Sequence, residues 1–341
     1  MASGPRLSRR RLLALPLLLA AAGTRSWPAA GQQTRLFRIG TGAVTGTYYP
    51  VGLLVAAAIG QPPGARACER GGNCGVPGLL AVVQSSNGSV ANIEAMLAGE
   101  LEGGFVQADV AFWAFHREGP FAGRQPAREL RAICRLFLES LHLVVRRESG
   151  IQAVRDLRRH RVAVGERGSG TLVDARLVLA AYGLSERDIE PFFVGADDAV
   201  QRMSRAEIDA FFLVAGYPAS PVNEAIRGAD ARLLPLRGRE AAALIRRWPF
   251  FTYDLIPFAT YPGQPAIETI GVSALFLVHE RLESDLVYAI TSALFHPVSR
   301  QLLRGGHPRA RDISAEDALD GVSIPLHPGA ERWYHEQGLL P

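Results

Sequence analysis

The sequence predicts an α/β protein built as two similar lobes facing each other, and three observations carry that prediction. Short β-rich runs alternate with helical patterns through most of the chain, which argues for layered α/β structure with largely parallel sheets. A strand, a glycine loop and a helix occur twice: Ile39-Gly40 with Thr45-Gly46-Thr47, and Val164-Gly165 with Ser169-Gly170-Thr171. An acidic turn entering a hydrophobic strand also occurs twice, as Glu100-Leu-Glu-Gly-Gly-Phe-Val106 and Glu207-Ile-Asp-Ala-Phe-Phe-Leu213. A duplicated unit accounts for both matches. Coincidence between common strand and turn patterns is the alternative.

In chain order, β-branched and aromatic runs bounded by glycine or polar turns place strands at Leu36 to Gly40, Gly104 to Gln107, Leu130 to Leu138, Leu141 to Arg146, Arg161 to Gly165, Ile208 to Val214 and Gly271 to His279. Apolar residues at helical spacing place helices at Tyr48 to Ile59, Val90 to Ala98, Thr171 to Tyr182, Asp285 to Phe295 and Ala330 to Gln337. A further helix opens at Asp109 and carries Phe112, Trp113 and Phe115, whose spacing suits a core face.

The chain has 341 residues, with 37 basic against 33 acidic, and every basic residue is arginine. The absence of lysine excludes Schiff-base and pyridoxal phosphate chemistry, a phosphate-loop lysine and a kinase lysine. Residues 1–31 read as an export signal: Arg6, Arg9, Arg10 and Arg11 precede an apolar run from Leu12 to Ala22, too short to span a bilayer, and small residues follow. Ser8-Arg9-Arg10-Arg11-Leu12-Leu13 is similar to a twin-arginine signal, with general secretion as the alternative route. The expected location is therefore periplasmic. Removing the five leader arginines leaves 32 against 33 acids, so the basicity belongs to the leader and no nucleic-acid partner is implied.

Export also governs the cysteines. Cys68 and Cys74 flank a glycine-containing loop, and an oxidising compartment favours a disulfide between them. A metal site is the rival, but two cysteines without a nearby histidine do not complete a tetrahedral shell. Cys134, in an apolar run, reads as a buried thiol. There is no Gly-x-Ser-x-Gly elbow and no His-Glu-x-x-His pair, and no two of the eight histidines stand at metal-ligand spacing. No metal and no cofactor are expected, and the chain does not read as an enzyme.

The two glycine loops are candidate anion sites. Glycine lets the backbone approach a ligand, and the following helix turns its free N–H groups and positive dipole end toward the loop. In the second loop Ser169 and Thr171 add hydroxyls and Arg167 a cation. The spacing of the first loop departs from the dinucleotide fingerprint, and a plain tight turn is the other reading of each. Further polar candidates are Asn87, Ser89 and Asn92 around a helix start, where Ser89 also suits a cap, and Gln107 at the end of a hydrophobic strand, whose amide both donates and accepts.

Together these motifs resemble a known family. Gly40-Thr-Gly with Gly46-Thr-Tyr-Tyr-Pro50, Gly88-Ser-Val-Ala-Asn92, Val106-Gln-Ala-Asp109, His142-Leu-Val-Val145, Gly168-Ser-Gly-Thr171, Asp209-Ala-Phe-Phe212 with Ala215-Gly-Tyr-Pro218, and Ile324-Pro-Leu-His-Pro-Gly-Ala330 stand in the order found in the TAXI family. Members are the extracytoplasmic solute receptors of tripartite ATP-independent periplasmic (TRAP) transporters. The resemblance runs from about Phe37 to the C-terminus. It implies a two-lobed periplasmic-binding-protein fold of the type II, Venus-flytrap kind with crossing hinge strands, monomeric, closing on a small carboxylate solute. Glutamate, glutamine and dicarboxylates such as 2-oxoglutarate are solutes of the family, and the TRAP membrane subunits are the implied partner. The contacts implied by the motifs are Thr45, Thr47 and Tyr48, Ser89 and Asn92, Gln107, and Ser169 and Thr171, with Tyr217 either covering the cleft or packing. The implied lobes are 32–137 with 257–341, and 138–256. Two departures bear on the solute: the first loop is bulkier than the family's glycine-richer form, and the Cys68 to Cys74 segment is a variant expected near the first lobe's cleft loops. Two other functions stay open: an extracytoplasmic enzyme acting on a small carboxylate, with Glu166 or Asp109 as base, and a solute sensor for a membrane signalling partner.

Overall fold

The computed structural model describes residues 34–341 together with Met1; the export-signal reading falls outside the described residues. The first half of the chain runs β1 (Arg35–Gly40), α1 (Tyr48–Ile59), β2 (Gly60–Gln61), β3 (Val76–Pro77), β4 (Leu79–Gln84), α2 (Ser89–Ala98), β5 (Gly103–Gln107), α3 (Ala108–His116) and the long β6 (Leu130–Arg146). There follow β7 (Arg161–Ala163), α4 (Gly170–Ala181), β8 (Glu190–Phe192), α5 (Ala196–Ser204), β9 (Ala210–Ala215), α6 (Ser220–Gly228), β10 (Ala231–Leu234), α7 (Arg239–Arg247) and β11 (Phe251–Ile256). The last part is β12 (Ile267–His279), α8 (Ser284–Leu294), α9 (Pro297–Gly306) and α10 (Pro328–Glu336).

The main sheet reads β4-β1-β5-β12-β6-β9-β7-β8, with β10 paired to β6 and β11 to β12. Its two ends mirror each other. β1 lies parallel between β4 and β5, and β7 lies parallel between β8 and β9, while β5 and β9 each meet a central strand antiparallel. The two glycine loops follow β1 and β7, the matching strands, so the repeat seen in the sequence is a repeat of topology. The two central strands carry 17 and 13 residues, far longer than an ordinary strand, and so run through both halves of the sheet.

The sequence reading divided β6 at Glu139-Ser140, because a polar pair between apolar runs resembles a turn. The structure continues the strand through it: Glu139 accepts a hydrogen bond from the Tyr48 hydroxyl at 2.6 Å, and Ser140 donates to Asp254. Both polar side chains find partners, so the backbone has no reason to leave the sheet. β4, β8, β10, β11 and the helices α5, α6, α7 and α9 were not read from the sequence; each is short, and packing supplies what propensity does not.

One buried core joins Phe37, Val55, Phe105, Phe137, Phe276 and Tyr334, and another surrounds Phe211, Ala225 and Tyr261. A third is continuous from Trp113 and Val106 to Val173 and Phe212. Trp113 meets Trp248 and Phe250 edge to face at 5.5 and 5.0 Å, which holds α3 to the segment before β11.

Cys68 and Cys74 form the expected disulfide, with Cα atoms 4.7 Å apart, and Cys134 is buried in β6. Two expectations about this loop are corrected. His296, remote in sequence, lies beside the sulfurs, its ring nitrogen within 4.8 Å of them; the bridge uses both sulfurs, and His296 Nδ1 accepts from the Val298 N–H at 3.2 Å. The loop is also remote from the glycine loops. Asn73 donates to the Ala57 carbonyl at the C-terminal end of α1, a helix of 12 residues and thus about 18 Å long, whose opposite end begins at Tyr48. Among the described residues no helix is long and apolar enough to cross a membrane.

Candidate functional site

Each glycine loop reaches across to the other matching unit. The Thr45 hydroxyl donates to the Asp197 carboxylate at 2.7 Å, and the Thr47 hydroxyl to the Gly216 carbonyl at 3.0 Å. The Ala91 N–H donates to the Gly168 carbonyl at 3.1 Å, and the Asn87 amide to that of Arg167 at 3.1 Å. Gly88 makes this approach with φ of 110°, a backbone state open to glycine and costly for other residues.

A cavity of about 100 Å³ lies between the loops. The N-termini of five helices line it: Thr47 and Tyr48 of α1, Gly88 and Ser89 of α2, Ser169 to Thr171 of α4, Gly195 and Ala196 of α5, and Ala219 and Pro221 of α6. Each is eight residues or longer and leaves its first-turn N–H groups without intrahelical partners. Each helix presents the positive end of its dipole to the cavity. No arginine lines the cavity among the described residues; its charged side chains are Glu139 and Glu166.

Of the nine residues singled out in the sequence, seven line this cavity: Thr45, Thr47, Tyr48, Ser89, Gln107, Ser169 and Thr171. Their hydrogen-bonding capacity differs. Ser169 caps α4, accepting from the Leu172 N–H at 3.1 Å and donating to the Glu166 carbonyl at 2.7 Å. Thr171 accepts from the Val214 N–H at 3.1 Å and keeps its own proton to offer. Gln107 directs its NH2 group to Asp174 at 2.6 Å, so its carbonyl oxygen faces Ser89, whose hydroxyl donates to it at 3.3 Å.

Asn92 and Tyr217 are placed elsewhere. The Asn92 amide donates to the Thr41 and Phe105 carbonyls at 2.7 and 2.8 Å and accepts from Ser86, so both its N–H groups are spent fastening α2 to the end of β1 and to β5. The Tyr217 ring lies 3.7 Å under the Arg309 guanidinium, which also donates to the Tyr217 carbonyl at 2.8 Å. Asp109, considered as a base, is fully buried outside the cavity lining, whereas Glu166 lines it.

Glu139 is the residue that sequence reasoning missed; its signal is a lone acid inside an apolar run. Burial pushes its carboxyl up to about 8, against the opposing pull of the Tyr48 hydroxyl, so it is largely protonated at neutral pH. Glu139 then adds little negative charge to the cavity. Glu166 is also shifted up, by burial and by the Asp197 charge.

Similarity to solved structures reaches a TM-score of 0.52 with a protein from Bordetella bronchiseptica RB50, at 14% identity, covering 89% of this chain and 81% of that one. The alkanesulfonate-binding protein SsuA from Xanthomonas axonopodis pv. citri, bound to MOPS, matches at TM-score 0.45 and 17% identity over 91% and 95% of the chains. An ancestral arginine-binding protein bound to arginine matches at TM-score 0.46 and 12% identity over 80% and 97%. The likeness to the Bordetella protein is one of fold. The NMT1-like family model matches residues 39–338, nearly the whole described chain, and the protein belongs to the NMT1-like family.

Proposed function

We propose that this protein is an extracytoplasmic solute receptor that closes on a small carboxylate and delivers it to the membrane subunits of a TRAP-type transporter. The observation that carries the carboxylate is the convergence of five helix N-termini on one cavity that has no arginine and a largely protonated Glu139. N–H groups in that arrangement are donors fixed in advance for an oxyanion, with little reorganisation on binding. The TRAP partner is supported by the ordered TAXI motifs.

In this reading residues 34–137 and 257–341 form one lobe and 138–256 the other. The central strands β6 and β12 are the hinge, and the contacts from Thr45 to Asp197 and from Thr47 to Gly216 belong to the closed form. Thr171 donates to the carboxylate, and Thr47 and the carbonyl of Gln107 accept from donors on the solute such as an ammonium group.

Native mass spectrometry of freshly purified protein, followed by a thermal-shift screen of amino acids, dicarboxylates and sulfonates, identifies the solute class. Recovery of the intact solute after incubation separates a receptor from an enzyme using Glu166. Replacing Ser169 and Thr171 together by alanine is expected to weaken binding at least tenfold; unchanged calorimetric affinity would overturn the site assignment.

A further inference from the structure

Two further buried acids lie outside the cavity lining. Beyond Gln107, two carboxyl groups from opposite sides of the cleft meet: Asp109, in the first turn of α3, and Asp174, on α4. Both are buried, at 0 and 1% exposure. Asp174 Oδ2 accepts from the Gln107 amide at 2.6 Å, while Asp174 Oδ1 and both oxygens of Asp109 have no donor. Asp174 is hydrogen-bonded to Gln107, two residues before Asp109, and each carboxyl acts directly on the titration of the other.

Two ionised carboxylates in this position would repel in a medium of low dielectric and leave three acceptors unpaired. One proton removes both costs, because the O–H of one acid donates to the other. A metal ion fits less well: hard cations take six or more oxygen ligands, and Gln107 presents N–H here in place of its oxygen. The surrounding groups act in the same direction. Glu139 on β6 and Tyr48 on α1 are both acids and add no positive charge. The first-turn N–H groups of Asp109 and Val110 oppose the trend without reaching hydrogen-bond geometry.

We propose that Asp109 and Asp174 share one proton across the cleft in the closed form, so that closure takes up a proton and tightens as pH falls. The shared proton stands on the geometry of the pair; its coupling to solute rests on the receptor reading. Burial is the largest influence on each group, and it pushes Asp109 up to about 6 and Asp174 well above the usual range. In the open form both meet water and titrate near the ordinary aspartate value of about 3.9. The sign follows. Between about pH 4 and the closed-form titration the closed form binds more protons, so each unit of rising pH weakens closure about tenfold per proton.

The deciding experiment is calorimetry of L-glutamate binding in buffers of different ionisation enthalpy, on the wild type and on Asp174→Asn. The asparagine amide donates to Asp109 without a proton and keeps the shape of the site. The wild type should take up about one proton more than the variant at pH 5, and its affinity should fall about tenfold more steeply per unit between about pH 4.5 and 6. Glu139 contributes equally to both proteins and cancels. Equal proton counts overturn the proposal, as does a wild-type affinity that rises with sodium or calcium without proton uptake. If L-glutamate gives no binding, that counts against the carboxylate reading. Carboxyl carbon NMR of the protein saturated with the solute found by screening then decides the proton: an aspartate carboxyl still protonated at pH 5 in the wild type, absent from Asp174→Asn, supports it, and both carboxyls ionised at pH 5 overturn it.

Discussion

Replacing Gly170 by alanine should block closure while sparing the fold. Gly170 opens α4 with an ordinary backbone, and alanine is the better helix former there. Its Cα faces across the cleft, where a Cβ would overlap the amide of Gln107 and stand 3.0 Å from the Ser89 hydroxyl. Gln107 is not free to swing away, because its amide is held by Asp174 at 2.6 Å and by Ser89 at 3.3 Å. Closing therefore means compressing the contact or breaking those hydrogen bonds. Overpacking of this kind costs about 1–3 kcal/mol, which corresponds to an affinity about 5- to 150-fold weaker. The open form, with Gln107 withdrawn, carries none of that cost. Titration calorimetry with the solute found by screening should show the loss, while urea unfolding of the free protein stays within about 0.5 kcal/mol of wild type. Gly228→Ala, at a position where a Cβ meets nothing within 4 Å, is the control. An unchanged affinity in Gly170→Ala would refute the identification of this interface as the closing surface.

Other perturbations separate the site from its support. Tyr48→Phe removes the donor to Glu139, leaving a buried acceptor unpaired; a stability loss of about 1–3 kcal/mol is expected. Because the Tyr48 bond holds the Glu139 carboxyl down, its titration should also move above about 8, extending the decline of stability to higher pH, as urea titrations at several pH values would show. Replacing both Cys68 and Cys74 by serine opens a short loop and should lower stability by about 2 kcal/mol. Solute affinity should hold, since the loop packs at the far end of α1. Asp209 is pushed up by burial, but hydrogen bonds from Arg161 and Arg146 outweigh this and hold it down at about 2. Its contribution is thus present above the ordinary aspartate value and lost as pH falls toward 2, so Asp209→Asn should abolish that part of the acid unfolding profile; an unaltered acid limb would count against it.

The site was largely legible because its chemistry is local. Thr45 to Tyr48 and Ser169 to Thr171 each sit where a strand gives way to a helix, and a glycine there announces free N–H groups before any tertiary contact is known. Ser89 and Gln107 stood out as polar residues at the ends of apolar runs. Asn92 carried the same signal and proved to be internal, because a buried amide can satisfy itself on backbone carbonyls, as it does on those of Thr41 and Phe105. Tyr217 had no local signal of direction; its ring is turned to Arg309, 92 residues away in sequence. Glu139 falls between two strands predicted separately, since polarity alone does not tell a loop from a buried acid with a partner.

The sequence by itself determined the α/β class, the duplicated unit, the two glycine loops and the Cys68 to Cys74 bridge, all of which rest on short-range pattern or small sequence separation. Only the tertiary structure decided that five helix ends share one cavity, that His296 stands beside the disulfide, that β6 runs unbroken through Glu139, and that Asp109 meets Asp174. Those features depend on which surfaces face each other once the central strands align the two halves. Burial then changes the charge that a side chain can carry, and no residue's own neighbours along the chain specify that.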